Sequence, residues 1–219
     1  MKLKEMLRGR LQKNIVDNFH KLYYRSKERT WDDTFWLGVP CLKCPLDLWV
    51  YQETIFDLKP DIIIESGTAA GGTSLFLASL CELVNNGRVI TIDIEDDPRK
   101  PQHQRITYLL GSSLAEEIAQ KVKKFINNAC KVIVILDSDH AKEHVLQELK
   151  IYSKFVTPGS YIIVEDSNVG GHPIAASFGL GPMEAIREFL KENKNFLVDK
   201  TKEKFFLTFN PNGFLKRIM

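Results

Sequence analysis

The sequence lacks any stretch approaching the roughly 20 consecutive apolar residues that a bilayer-crossing helix needs. It also lacks a charge excess: 30 basic residues stand against 28 acidic ones, a net charge of +2 over 219 residues. Such a balance leaves no electrostatic footprint for nucleic acid or an acidic membrane as the main partner. Met1 to Arg10 holds four basic side chains but no apolar run or small-residue cleavage site behind them, so no secretory signal is expected. Cysteine is scarce, with four residues at positions 41, 44, 81 and 130. That count excludes a dense disulfide framework and suits a reduced, cytoplasmic protein. The pair Cys41-Leu42-Lys43-Cys44 has no second pair to complete a zinc site, and Pro45 stands where a thioredoxin-type helix would run. It is expected to carry no chemistry. No internal repeat or low-complexity segment is present.

What is present is enough apolar material, 44% of residues, for one sizeable core. Leu3, Leu7, Leu11, Ile15, Phe19 and Leu22 recur at helical spacing. They predict an amphipathic helix, basic on its other face, that packs on the domain or on a second subunit. Residues 1–29 therefore read as a helical extension and 30–219 as the main domain. The aromatic, proline-broken segment 30–47 reads as an ordered loop, followed by a helix near Leu48 to Leu58. Short apolar runs then alternate with helical patterns. Strands are predicted at Ile62 to Glu65, Arg88 to Ile94, Ile106 to Leu110, Val132 to Leu136 and Tyr161 to Val164, with helices between them. Ser113 and Glu116 read as a capping box. Strands apolar on both faces imply a parallel sheet covered on both sides. After a helix at Met183 to Asn193, Phe196 to Val198 and Phe205 to Phe209 read as an antiparallel hairpin. The expected fold is α/β: a Rossmann-like, mostly parallel seven-stranded sheet ending in an antiparallel hairpin, as in class I methyltransferases.

Ligands of open α/β sheets sit at the carboxyl ends of the strands, where strand order reverses. The first such end reads Glu65-Ser66-Gly67-Thr68-Ala69-Ala70-Gly71-Gly72-Thr73, which lacks the GxGxxG spacing of dinucleotide enzymes. Its small residues let the backbone approach a ligand, and the carboxylate suits the cationic end of S-adenosylmethionine better than a diphosphate. Asp93, at the second strand end, can accept from ribose hydroxyls. Gly111-Ser112-Ser113 follows the third strand, where adenine would rest. The fourth and fifth strands end in Asp137-Ser138-Asp139-His140 and Glu165-Asp166. Neighbouring parallel strands lie about 5 Å apart, so Asp137, Glu165 and Asp166 can converge. Their mutual repulsion is relieved by a divalent cation, and an all-oxygen site favours Mg²⁺, or Mn²⁺ or Ca²⁺. Such an ion would activate an acceptor hydroxyl, with His140 placed to take its proton. His140 and His144 have an HxxxH spacing, but no Glu follows the first His, so a zinc protease is not indicated.

The runs TFWLGVPCLKCPLDLWVYQE, IIESGTAAGGTSLFLAS, GRVITIDIE, VILDSDHAKEHVLQEL, GSYIIVEDSNVGG and FFLTFNPNGFLKRIM resemble the so-called cephalosporin hydroxylase family, which also contains rhamnosyl O-methyltransferases. The resemblance spans about residues 30 to 219. It implies bound S-adenosylmethionine and Mg²⁺, an O-methylation reaction, and homo-oligomers in which the first helix finds a partner. It carries cofactor contacts onto Glu65, Gly67, Asp93 and Ser113 and metal ligation onto Asp137, Glu165 and Asp166; Thr68, Gly71, Ser112 and Asp137 are further expected cofactor contacts, and Asp137 and His140 are the expected catalytic residues. In the more distantly similar catechol O-methyltransferases a lysine stands at the place of His140. A metal-independent methyltransferase, an oxidative enzyme and a non-catalytic cofactor binder are the competing readings. The loop 167–182, with His172 and Phe178, is expected to cover the acceptor, helped by Trp36, Lys43 and Tyr51. Aromatic faces suit a sugar or a phenol, and the resemblance favours a glycoside hydroxyl.

Overall fold

A computed structural model describes residues 2–26, 30–127 and 131–219, so Cys130 lies outside the described residues. The main sheet is built from β3 (Ile62–Ser66), β4 (Arg88–Asp93), β5 (Ile106–Leu110), β6 (Val132–Leu136), β7 (Tyr161–Val164), β8 (Phe196–Val198) and β9 (Phe214–Arg217). It runs in the order β5-β4-β3-β6-β7-β9-β8. Strands β3 to β7 are mutually parallel, and β9 pairs antiparallel with both β7 and β8. The order reverses at β3, whose neighbours are β4 on one side and β6 on the other, which opens the ligand crevice at that point.

Period-two alternation sorts the strand residues into two cores. Ile62, Ile64, Ile90, Ile92, Val132, Val134 and Leu136 face α4 (Glu116–Lys123), α5 (Lys142–Tyr152) and α6 (Pro182–Glu192). Ile63, Val89, Ile133, Ile135 and Ile163 face α2 (Pro45–Leu58) and α3 (Gly72–Leu83). Each fully buried aliphatic side chain stabilises the sandwich by about 1.5–3 kcal/mol. Both sheet faces are therefore mostly apolar, and the polar groups gather toward the carboxyl ends of the strands.

Four details depart from the sequence-based expectation. Helix α2 begins at Pro45, because proline's fixed φ suits the first helical position and Cys44 is already extended before it. The predicted strand at Phe205 to Phe209 is not a strand. Phe206 adopts a positive φ of 67°, and Phe209 turns sideways into a small cluster with Cys44 and Leu207. The sheet is completed instead by Phe214–Arg217, inserted between β7 and β8. The Ser113/Glu116 capping box does not form either, since α4 starts after Ala115 without a side-chain cap.

The first helix, α1 (Lys2–Arg25), docks through the side opposite its apolar stripe. His20 stacks on Phe209 at 5.5 Å, and Tyr23 and Tyr24 meet the same ring edge-on. Leu7, Leu11, Ile15, Phe19 and Leu22 are 52–67% exposed. Apart from a tilted contact of Phe19 with Tyr23 on the same helix, at 6.3 Å between ring centroids, the stripe faces outward. A small hairpin, β1 (Phe35–Trp36) and β2 (Val39–Pro40), leads the following segment back over the crevice.

Candidate active site

Register places the acids. Leu136 pairs with Ser66 on one side and Val164 on the other, so Asp137 and Glu165 leave the sheet side by side. The loop after β3 passes under Asp137 so closely that a Cβ at Gly67 would lie 1.9 Å from the Asp137 carbonyl oxygen. Gly67 also has φ +87°, which glycine adopts without strain. At the start of α3, a Cβ on Gly72 would strike the Pro40 carbonyl at 2.0 Å. Segment 39–43 is thereby pressed against the glycine loop, and the next residues reach the acids.

The residues expected to hold a cofactor lie at and just beyond the carboxyl ends of β3, β4 and β5. Asp93 Oδ2 accepts from the amides of Thr68 (2.8 Å) and Ala69 (2.9 Å), and Oδ1 accepts from Glu95 (3.0 Å). The carboxylate fixes the glycine loop while staying partly exposed at the strand end. Thr68 is buried, with its hydroxyl 2.6 Å from that of Thr91, and Gly71 caps α3 in a left-handed conformation. Glu65 lies deeper than a strand-end position suggested. It is fully buried, with Oε2 accepting from the hydroxyls of Ser74 and Thr91. Its Oε1 has no hydrogen-bond partner among the described residues. Burial pushes its carboxyl up to about 7. An orphaned carboxylate oxygen beneath the glycine loop fits a cation-bearing ligand. Ser112 accepts from the Leu114 amide, while Ser113 is buried and turned toward α5, 3.3 Å from His144 Nε2.

On the other side of the crevice, one ligand atom from each of Asp137, His140 and Asp166 lies within 4.8 Å of the other two. His140 Nε2 stands 3.2 Å from Asp166 Oδ2. Asp166 reaches this point from a left-handed backbone, φ 51°, held by its amide donating to Asn210 Oδ1 at 3.0 Å. Glu165 sits behind this trio, 2% exposed, and its Oε1 accepts from the Tyr51 hydroxyl. Asn210 Nδ2 in turn donates to that hydroxyl at 3.2 Å.

Lys43 completes the cluster. Its ammonium, on a side chain only 5% exposed, donates to Asp137 Oδ2 and lies 3.1 Å from Glu165 Oε1. Burial drives the Asp137 carboxyl well up, partly opposed by Lys43. Burial also raises Asp166, against the pull of His140 and Lys43. Burial alone would lower Lys43, but Asp137, Glu165 and Asp166 outweigh it and hold the ammonium firmly charged. If all three carboxylates ionise, one ammonium leaves two negative charges, which matches a divalent cation in the donor set.

Several expectations are redistributed. Trp36 stays away from the acids; it packs edge-on against Phe76 at 4.9 Å and donates to Ser79. His172 is committed to Glu184 at 2.8 Å. The loop 167–182 is pinned by Ser167 to the Pro211 carbonyl, by Asn168 to His20, and by Leu180 to the Lys142 amide. Phe178 and Leu180 remain exposed on it. Cys41 and Cys44 are free and buried, and burial pushes their thiols up to about 11 and about 12, so neither is a thiolate near neutral pH. Sequence reasoning placed Lys43 only beside a substrate, named Tyr51 only in passing and missed Asn210. The one signal available was a lysine inside an apolar, cysteine-flanked run.

Comparison with known proteins adds the following. The family model described as Rhamnosyl O-methyltransferase/CmcI matches residues 28–218. A rhamnosyl O-methyltransferase of Mycobacterium leprae is 37% identical over 210 residues, covering 93% of this chain and 91% of that one. Among solved structures, an apo-structure of CmcI superposes with a TM-score of 0.67 at 22% identity, over 86% of this chain and 77% of its own. A Mg-SAM structure of CmcI gives 0.65 at 20%, over 86% and 78%. These two likenesses establish the fold.

Proposed function

This chain belongs to the Rhamnosyl O-methyltransferase/CmcI family, and from that premise we propose that it transfers the methyl group of S-adenosylmethionine to a hydroxyl of a rhamnosyl or related glycoside, assisted by a divalent cation. The observation that carries this reading is the convergence of Asp137, His140 and Asp166, with Glu165 and Lys43 immediately behind, beside a glycine loop anchored by Asp93.

Glu65, Gly67, Thr68, Gly71, Asp93, Ser112 and Ser113 would hold the cofactor, with Asp137 at the edge of the same crevice. S-Adenosylmethionine supplies the electrophilic methyl, and Mg²⁺ supplies Lewis acidity toward the acceptor oxygen. Asp137 and Asp166 would hold the ion directly, while Glu165, the third ligand expected from the sequence, stands behind them and is bonded to Tyr51 and Lys43. Mg²⁺ prefers oxygen ligands, which leaves the His140 imidazole to take the acceptor proton at its Nδ1, since Nε2 faces Asp166 Oδ2 at 3.2 Å and donates to it. Asp166 then stabilises the imidazolium. Lys43 keeps the neighbouring carboxylates paired, and Tyr51 and Asn210 fix Glu165 and Asp166 in place.

The exposed stripe on α1 supports a homo-oligomer, since five large apolar side chains share one uncovered face. Free, buried cysteines support work in the cytoplasm. Among the described residues no helix is long and apolar enough to cross a membrane.

The test is transfer of labelled methyl to an aryl rhamnoside and to a catechol, each with Mg²⁺ and with chelator. Chelator-sensitive transfer to the rhamnoside and loss of that turnover in Asp137→Ala, with S-adenosylhomocysteine binding kept, are expected. Turnover indifferent to chelator would leave a metal-independent methyltransferase; preference for the catechol would overturn the glycoside assignment.

A further inference from the structure

A second polar cluster lies outside the catalytic arrangement, on the far side of the turn that carries Asp137. His144 and Glu148 stand one turn apart on α5. His144 Nε2 is 3.0 Å from Ser138 Oγ, 3.3 Å from Ser113 Oγ and 3.6 Å from Glu148 Oε1. Ser138 Oγ donates to Glu148 Oε1 at 2.8 Å. Ser113 is held a second time, its carbonyl accepting from the Tyr152 hydroxyl at 2.7 Å. Glu148 is fully buried, and its Oε2 has no hydrogen-bond partner among the described residues.

The donors fix the direction of these bonds. With the Ser138 proton given to Glu148, the Ser138 oxygen can only accept from the imidazole, so Nε2 carries a hydrogen. That single N–H is then shared between Ser138, in the turn bearing Asp137 and His140, and Ser113, in the loop after β5. A buried carboxylate with one oxygen already uncompensated makes loss of its remaining contacts costly. The two loops therefore cannot shift independently: moving either serine weakens its bond to the same nitrogen.

We propose that His144 is a positioning residue that couples the cofactor side of the site to its metal side, by bridging Ser113 and Ser138 over the buried anchor Glu148. The proposal rests on the reading of the crevice as an S-adenosylmethionine and divalent-metal site. Binding that orders the loop after β5 is passed through His144 to the turn holding Asp137, and the reverse follows by linkage. A cluster that merely fastened α5 to the sheet would affect stability and leave the two binding events independent.

The experiment is calorimetric titration of the full chain with S-adenosylhomocysteine, at zero and at saturating Mg²⁺. The ratio of the two dissociation constants is the coupling factor. In the wild-type protein a factor of at least about 5, the lower end for coupled sites, is expected. His144→Leu should bring the factor close to one. His144→Gln, whose amide N–H can occupy the Nε2 position, should recover most of it. Ser113→Ala should reduce it as well, and serves if His144→Leu fails to fold. In the double variant Ser113→Ala with His144→Gln the factor should fall no further than in Ser113→Ala alone. Equal coupling in the wild-type, His144→Leu and Ser113→Ala proteins would overturn the proposal. So would wild-type binding of S-adenosylhomocysteine that ignores Mg²⁺, with the cofactor reading left standing. Wild-type protein that fails to bind S-adenosylhomocysteine at all would instead sink the cofactor reading, and the coupling with it.

Discussion

Replacing Lys43 by methionine tests the electrostatics of the site most directly. The substitution keeps most of the buried stem and removes the ammonium that bonds Asp137 and lies 3.1 Å from Glu165. Removing one partner of a buried ion pair typically costs about 3–5 kcal/mol, because the other charge is left unpaired. For a chain of this size that corresponds to a melting point lower by roughly 6–20 °C. The loss should depend on pH with a definite sign. Asp137 and Asp166 have carboxyls raised above their unfolded values by burial. The folded state therefore holds their protons longer, and stability falls as pH rises through the folded-state values. Without Lys43 these values rise further, so the deficit of Lys43→Met should be small in acid and grow toward alkaline pH. Divalent cation should restore the variant more than it stabilises the wild type, since it neutralises charge that Lys43 no longer offsets. Lys43→Arg, which keeps the charge, should lie between the two. Calorimetric scans from pH 5 to pH 8.5, with and without Mg²⁺, read all of this. A variant as stable as wild type at pH 8 without Mg²⁺ would refute the reasoning, as would equal stabilisation of both proteins by the ion.

Asp93→Ala should weaken S-adenosylhomocysteine binding by about 2 kcal/mol, near thirtyfold, because the loop amides of Thr68 and Ala69 lose their acceptor; calorimetric titration measures it. His140→Ala should slow turnover and flatten its pH dependence with little change in cofactor affinity, which a pH–rate series checks. Glu65 has its carboxyl raised from 4.5 to about 7, so the ligand-free protein should lose stability as pH rises across that interval, by about 3 kcal/mol at 1.36 kcal/mol per unit. Glu65→Gln should remove that slope in urea unfolding curves taken at pH 5 and pH 7.5.

Much of the fold was legible locally. Ile106–Leu110, Val132–Leu136 and Tyr161–Val164 form strands with the bounds their apolar runs suggested; in the last two, residues buried on both sheet faces must all be apolar, whereas the first is a half-buried edge strand. The acids stood out because they end those runs abruptly. The miss at Phe205 to Phe209 has the opposite cause. An aromatic-rich run looks like a strand, but Phe209 is consumed by ring contacts with α1 and its amide by Asp47. The stripe on α1 forms as a helix but is not turned onto the domain, because periodicity reports that a face is apolar, not what covers it.

The sequence by itself determined the alternating framework, the glycine loop after the first strand with Asp93 at the end of the next, and the arrival of Asp137, Glu165 and Asp166 at neighbouring strand ends. Those features follow from short-range patterning and from the register of parallel strands. The tertiary structure alone decided that Lys43, 94 positions from Asp137, is buried among the acids, and that Tyr51, 114 positions from Glu165, holds its carboxylate. It also set the burial of Glu65 and the bridge from His144 to two loops. Such contacts depend on how segment 39–43 and α5 pack over the strand ends, and no periodicity within a local window encodes that packing.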